Sequence, residues 1–320
     1  MRNIENKTIL ITGCCGTVGK ALIQRIISLS PSTSMICMDV NESELFRMMQ
    51  QNNQNNLKFE LCDIRSKQVK HLVKKSDIVF HCAAYKHVYF GNKNVEELKS
   101  VNIDGTENIL SALDGSNVTD FIFTSSDKAA NPISSMGITK LFGERLISSA
   151  NKNTSTRCSS VRFGNVIGSS GSVYQIFKSQ IIAGEPLTLT NIEMTRFIMT
   201  PIDSADLILK TLRIANGGEI LISKMPALKI ENLANVMIEM FSNGRDITKK
   251  IIGISPQEKI FEELMSSEEG HICQENKDFF VLNGNTEHSL ASNKLDLRSD
   301  RCDLLSNEEI KRFIFRLENE

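Results

Sequence analysis

Through the first two hundred residues, short apolar runs alternate with longer stretches in which apolar positions recur every three or four residues. The short runs, at 8–12, 35–39, 57–61, 78–82, 121–124 and 159–163, predict strands, and the stretches between them predict amphipathic helices. Strands and helices in strict alternation over short links imply a parallel sheet covered by helices on both faces. The expected fold class is therefore α/β, a Rossmann-type doubly wound parallel sheet with a smaller, discontinuous C-terminal domain. The polar, low-complexity stretch 50–56 predicts a surface loop. Beyond Gly164 the pattern loosens into a helix over 174–183, a short strand at 187–189, a helix over 204–214, and strands at 219–222 and 279–282. Residues 1–165 and 197–225 are assigned to the large domain, and 166–196 and 226–320 to the smaller one.

The first strand ends in Thr12-Gly13-Cys14-Cys15-Gly16-Thr17-Val18-Gly19, which runs directly into a helix. A strand, a glycine turn and a helix N-terminus in succession form an anion site, where backbone N–H groups and the helix dipole face a pyrophosphate. Gly13 permits the turn, Gly16 admits phosphate to the backbone, and Gly19 lets the helix pack close. Thr17 and Val18 open the helix beside the ligand. Asp39 closes the second strand, twenty residues after Gly19, where a carboxylate accepts hydrogen bonds from a ribose 2′-OH and repels a 2′-phosphate. Val40, Asn41 and Glu42 follow it, with no arginine. The expected cofactor is NAD rather than NADP. A competing role for Asp39 is to cap the helix that starts near Glu42.

Bulk properties narrow the classes further. The 320 residues carry a net charge of −1, so neither a nucleic-acid surface nor a general membrane-binding face is expected. No apolar run approaches the ~20 residues of a membrane span, and the short polar N-terminus has no secretory pattern. The eight cysteines include no Cys-x-x-Cys pair and read as reduced, small apolar residues of a cytoplasmic protein. The histidines lack ligand spacing, so no metal is expected.

A second constellation follows the fifth strand: Ser126-Asp127-Lys128-Ala129-Ala130-Asn131-Pro132, then Met136 and, four residues on, Lys140. The i, i+4 spacing puts Met136 and Lys140 on one helix face. With Ala83-Ala84-Tyr85-Lys86-His87-Val88, Arg162-Phe163-Gly164-Asn165-Val166-Ile167-Gly168-Ser169-Ser170-Gly171-Ser172-Val173 and Met194-Thr195-Arg196-Phe197-Ile198-Met199-Thr200, these residues fall in a recognisable order. Over roughly residues 7 to 265 the chain resembles an extended short-chain dehydrogenase/reductase of the nucleotide-sugar 4,6-dehydratase group, the branch acting on UDP-N-acetylglucosamine in polysaccharide biosynthesis.

The resemblance implies a lyase with a tightly bound redox cofactor. Hydride leaves sugar C4, the resulting ketone acidifies C5–H, water is lost across C5 and C6, and hydride returns to C6. It implies Asp127 as the C6 acid and Lys128 as the C5 base, assisted by Ser126. Lys128 is then expected to have a depressed pKa, so that it is partly neutral near pH 7. Lys140 holds the nicotinamide ribose; Asp63, Ile64, Ala83, Ala84, Lys86 and Asn102 complete the cofactor site. Lys86, His87, Asn165, Ser172, Thr195, Arg196 and Glu258 face the substrate, a nucleotide-diphosphate amino sugar. A homo-oligomer is implied as well.

Two departures stand out. Met136 occupies the tyrosine position of the wider superfamily, and a thioether cannot accept a hydroxyl proton. The resemblance places such chains in a Met-containing subgroup that retains configuration at C5. At 254–259, Ile-Ser-Pro-Gln-Glu-Lys stands where relatives read Arg-Pro-Gly-Glu-Lys, so Ser255 replaces a diphosphate-binding arginine. A GDP-linked sugar, an epimerase or 4-ketoreductase, and a silent NAD-binding sensor remain alternatives at this point.

Overall fold

The apolar runs become strands β1 (Thr8–Thr12), β2 (Ser34–Asp39), β3 (Leu57–Leu61), β4 (Ile78–His81), β5 (Asp120–Thr124) and β6 (Arg157–Arg162). Later in the chain come β7 (Asn165–Val166), β8 (Leu187–Leu189), β9 (Thr195–Met199), β10 (Glu219–Ser223), β11 (Ala227–Lys229), β12 (Lys249–Ile251), β13 (Cys273–Glu275) and β14 (Phe279–Asn283). These assignments come from a computed structural model that describes residues 4–52, 54–283 and 297–320. Nine strands make one sheet in the order β13-β14-β10-β6-β5-β4-β1-β2-β3. From β3 to β10 every neighbour is parallel, and β14 and β13 close the far edge antiparallel.

Alternation along β1 divides the core. Ile9 and Ile11 face a cluster with Leu22 and Ile26 of the helix Thr17–Leu29 and with Ile208 and Leu212 of the helix Pro201–Ile214. Leu10 faces the opposite cluster with Leu72, Ile109, Phe121 and Ile147. Both faces of the sheet are therefore dry, as parallel sheets require. Strand order reverses where β1 lies between β2 and β4, which opens a crevice above the carboxyl ends of these strands.

A second core gathers Phe177, Ile181, Leu187, Ile198, Leu233 and Met237 with Ile310 and Ile314 of the helix Asn307–Asn319. It packs beside the small sheets β11-β9-β7 and β12-β8. One stretch sits apart from the expected division. Residues 273–283 fall within the stretch assigned to the smaller domain, yet β13 and β14 extend the large sheet. Phe280 and Leu282 join Ile220 and Ile222 of β10 in a separate apolar cluster, which rewards that pairing. The stretch 50–56 begins as the last turn of a helix, Glu42–Gln51, and residue 53 lies outside the described residues.

Candidate active site

The glycine turn is built as its spacing predicts. Gly13 has φ +69°, and a Cβ there would lie 2.6 Å from the backbone of Ala83, so the turn is pressed against the end of β4. A Cβ at Gly19 would lie 2.4 Å from the carbonyl oxygen of Gly13, which makes glycine the condition for seating the helix on the turn. At Gly16 a Cβ would meet only the Gly13 oxygen, at 3.2 Å. Asp39 hangs over this turn. Its Oδ2 accepts from Cys15 N at 2.9 Å, and its Oδ1 accepts from Val40 N at 2.8 Å and Asn41 N at 3.0 Å. The helix cap is Asn41, whose side chain accepts from Glu44 N. Asp39 is thus not the helix cap.

A cavity of about 800 Å³ runs from this turn along the carboxyl ends of the strands. It is lined by Gly13, Gly16, Thr17, Val18, Gly19, Asp39, Asp63, Ile64, Ala83, Ala84, Lys86, Met136 and Lys140. Arg65, which the sequence reading passed over, lines it too and grips Asp63 through two guanidinium nitrogens while reaching Glu97. Asn102 does not line the cavity. It lies in a π-helical turn, Ser100–Asp104, and clamps the loop after β4: its Oδ1 accepts from Tyr85 N at 2.7 Å, and its Nδ2 donates to Tyr85 O at 3.0 Å and to Thr139 Oγ1 at 3.0 Å. Behind the loop, His81 is held between Thr12 and Thr106 and kept neutral by burial, its pKa lowered to about 3.

Lys140 and Met136 share one face of the helix Ser135–Asn153 and both reach the inner cavity. Lys140 Nζ donates to Thr124 O at 2.8 Å and lies 4.7 Å from the centre of the Phe123 ring. Burial pushes its pKa down to about 8.

The loop after β5 concentrates charge. Asp127 is fully buried; its Oδ1 accepts from Ser126 Oγ at 2.8 Å and from Lys128 Nζ at 3.0 Å. Its Oδ2 has no partner among the described residues. Lys128 also lies 3.2 Å from Glu262 Oε1, so its ammonium sits between two carboxylates. The expected depression of Lys128 is reversed here. Burial works against the charge, but Asp127 and then Glu262 outweigh it and hold the pKa above its usual value. Glu262 escaped the sequence reading because one of two adjacent glutamates in Phe261-Glu262-Glu263-Leu264 carries no spacing signal.

A second cavity of about 790 Å³ opens toward the smaller core. Lys86, His87, Lys128 and Asn165 line both cavities, so the two meet at the charged loop. Ser172, Arg196 and Glu258 line the outer one. Ser172 Oγ is buried without a partner among the described residues. Arg196 was expected to face the substrate. Its guanidinium instead donates to Thr195 O, Lys259 O and Ile260 O, and faces Glu258 at 3.7 Å and Glu262 at 3.8 Å. In this arrangement it braces the segment 258–262. Thr195 directs its hydroxyl to Ser299 Oγ at 2.8 Å and does not line either cavity. Ser255 lines the outer cavity.

All eight cysteines are unpaired thiols. Cys14, Cys15 and Asp39 place potential ligand atoms within 4.8 Å of one another, a proximity that spacing alone did not reveal. The Cys14 thiol is pushed strongly up by its hydrogen bond to Cys15 and by burial. Among the described residues no helix is long and apolar enough to cross a membrane.

Comparison with known proteins matches this architecture. An uncharacterized membrane protein of Methanocaldococcus jannaschii is 39% identical over 97% of this chain and 96% of its own length. A UDP-N-acetylglucosamine 4,6-dehydratase (inverting) of Campylobacter jejuni is 35% identical over 87% of this chain and 83% of its own. A UDP-glucose 4-epimerase of Rickettsia rickettsii is 36% identical over the same shares. The crystal structure of Pen from Bacillus thuringiensis superposes with a TM-score of 0.94 at 34% identity, covering 99% of both chains. The model of the polysaccharide biosynthesis protein family matches residues 9–284, and with these relatives it establishes that the chain belongs to that family.

Proposed function

We propose that this protein is an NAD-dependent nucleotide-sugar 4,6-dehydratase that converts a UDP-linked N-acetylglucosamine to its 4-keto-6-deoxy product with retention at C5. The observation that carries this reading is the Ser126–Asp127–Lys128 cluster, its aspartate buried and its serine and lysine half-buried, where the two cavities meet. Loss of water across C5 and C6 needs an acid and a base side by side, and this loop supplies both.

The inner cavity fits a nicotinamide dinucleotide. Gly13 and Gly19 keep the pyrophosphate turn clear of Cβ atoms, Asp39 presents a carboxylate at the ribose position, and Lys140 reaches the far end. When bound, that cofactor supplies a reversible store for the electrons removed at C4 and returned at C6. The outer cavity takes the nucleotide diphosphate, with Ser172, Asn165 and Ser255 along its wall.

Lys128 and Asp127 share a 3.0 Å hydrogen bond. Moving one proton across it turns ammonium and carboxylate into amine and carboxylic acid, the base and acid that elimination requires. Lys128 then takes the C5 proton, and Asp127 delivers its proton through the Ser126 hydroxyl to the departing C6 oxygen. With a thioether at position 136, the C4-hydroxyl proton has Ser126 or Lys140 as its acceptor at the inner cavity. The similarity to a UDP-glucose 4-epimerase favours a second reading, in which C4 is inverted and no water is lost.

Proton NMR with UDP- and GDP-N-acetylglucosamine in deuterated water separates these readings. A new C6 methyl signal with deuterium at C5 is expected, with ring couplings that report retention. Inversion at C4 without a methyl signal establishes the epimerase instead. Lys128→Ala and Asp127→Asn are each expected to abolish the methyl signal while cofactor stays bound; full activity in either removes its assigned role.

A further inference from the structure

Lys128 has two anionic partners, and the proposed chemistry uses only one of them. Glu262 is the other. Its residue is 3% exposed, and its Oε1 lies 3.2 Å from Lys128 Nζ and 3.8 Å from Arg196 Nε. Its Oε2 has no partner among the described residues. The backbone that carries this carboxylate is anchored. Glu262 N donates to Ser299 Oγ at 2.9 Å, Ser299 N donates to Glu262 O at 2.9 Å, and Ser299 Oγ meets Thr195 Oγ1 on β9. Arg196 braces the same segment by donating to the carbonyls of Lys259 and Ile260. Three elements therefore fix one buried carboxylate against the outer side of the Lys128 ammonium, in the wall of the outer cavity.

We propose that Glu262 is the anionic partner that stabilises the ammonium forming on Lys128 as it takes the C5 proton. This rests on the dehydratase reading above. Asp127 cannot fill that role at C5–H cleavage, because it is then the neutral acid and becomes a carboxylate only once it has passed its proton to the leaving oxygen. At the moment of C5–H cleavage the neutral amine gains a proton and a positive charge where the two cavities meet. A preorganised negative charge 3.2 Å away stabilises that charge without reorganisation. The logic is that of the buried aspartate behind the histidine of a serine protease, which stabilises the imidazolium and is not itself protonated. Protons balance: the C5–H bond breaks, an N–H bond forms on Lys128, and after the ammonium has exchanged with solvent it returns one hydrogen, deuterium in deuterated water, to C5 when the sugar is saturated at C6. Glu262 acts through Lys128 and is a positioning residue.

The groups facing Lys128 are Asp127 from its own loop, Glu262 from the segment 258–264, and Arg196 from β9. The two carboxylates favour its charged form and Arg196 opposes it. Glu262→Gln removes a charge but keeps an oxygen able to accept from Nζ. Two readouts then differ from those of a residue that only shapes the loop. First, the rate of C5 deuterium incorporation should fall about a hundredfold or more, while oxidation at C4, read as nicotinamide absorbance, continues. Second, the acid limb of its pH profile should move to lower pH, because Lys128 loses a proton more readily without the neighbouring anion. Glu262→Asp, which restores charge at a longer distance, should recover part of the rate and return the limb.

An amide variant within about threefold of wild type, or one whose limb does not move, overturns the proposal. Thermal melting reports whether each variant folds. Should the amide variant not fold, the aspartate variant carries the test: slowed C5 exchange with normal C4 oxidation supports the role, and an unchanged rate overturns it. Wild-type protein that holds cofactor but gives no C5 deuterium with either nucleotide sugar overturns the dehydratase reading itself, and the role of Glu262 falls with it.

Discussion

At the scale of single residues, the chain announces what depends on its neighbours in sequence and conceals what depends on its return in space. Gly13, Gly16 and Gly19 were legible because a strand, a turn and a helix fix their surroundings within a dozen residues. Ser126, Asp127 and Lys128 were legible as a motif, but the full set of charges on Lys128 was not, because Asp127 beside it is joined by Glu262, 134 positions later. Arg196 was expected to face the substrate from its place in the Met194–Thr200 stretch; its donors go to carbonyls that no local pattern predicts.

Lys140 offers a residue-scale test. Burial lowers its pKa from 10.5 to about 8, so the folded protein binds fewer protons than the unfolded chain between those values. Stability should therefore rise with pH across this window, and below about pH 8 the cost of burying the charge is felt in full. Relative to Lys140→Met, which carries no charge, wild type should gain about 3 kcal/mol between pH 8 and 10.5. Denaturant melts of both proteins across that range check the sign, and parallel curves would refute it.

At the scale of elements, the strands and most helices follow the apolar period, with ends displaced by a residue or two. β14 was foreseen, but its place in the large sheet was not: pairing with β10 is decided by Phe280 and Leu282 meeting Ile220 and Ile222, a match invisible in either strand alone. The π-helical turn Ser100–Asp104 was equally hidden. It aims Asn102 at both backbone groups of Tyr85, and so joins a helix to the loop that lines the inner cavity. Asn102→Ala should leave these groups without their partner at a cost of about 1–3 kcal/mol. Cofactor affinity should drop with it, while Asn102→Asp keeps the acceptor for Tyr85 N and loses less. Hydrogen exchange at the Tyr85 amide is the direct measurement, and protection unchanged in the alanine variant would exclude the clamp.

At the scale of the whole molecule, one buried cation ties the sheet to the segment that carries Glu262. Arg162, at the end of β6, is fully buried. It donates to Glu144 at 3.0 and 2.6 Å, to Glu269 at 2.8 and 2.9 Å, and to Leu264 O at 3.0 Å. A guanidinium is suited to this because its planar fork serves two carboxylates at once. Burial opposes its charge, but Glu144 and Glu269 raise its pKa well above the usual value. Arg162→Leu strands two carboxylates in the interior and should cost about 3–5 kcal/mol. Calorimetry of the variant, alone and with Glu144→Gln and Glu269→Gln added, distinguishes stranded charge from lost packing: partial recovery in the triple variant is expected.

The late arrival of β14 has a temporal consequence. A chain emerging from the ribosome can pair β1 to β6 and close the glycine turn soon after residue 162, but β10 keeps an open edge until residues 279–283 appear. Glu262 and Glu269 are made in the same late stretch. A nascent protein can thus possess the glycine turn well before the charges around Lys128 are complete.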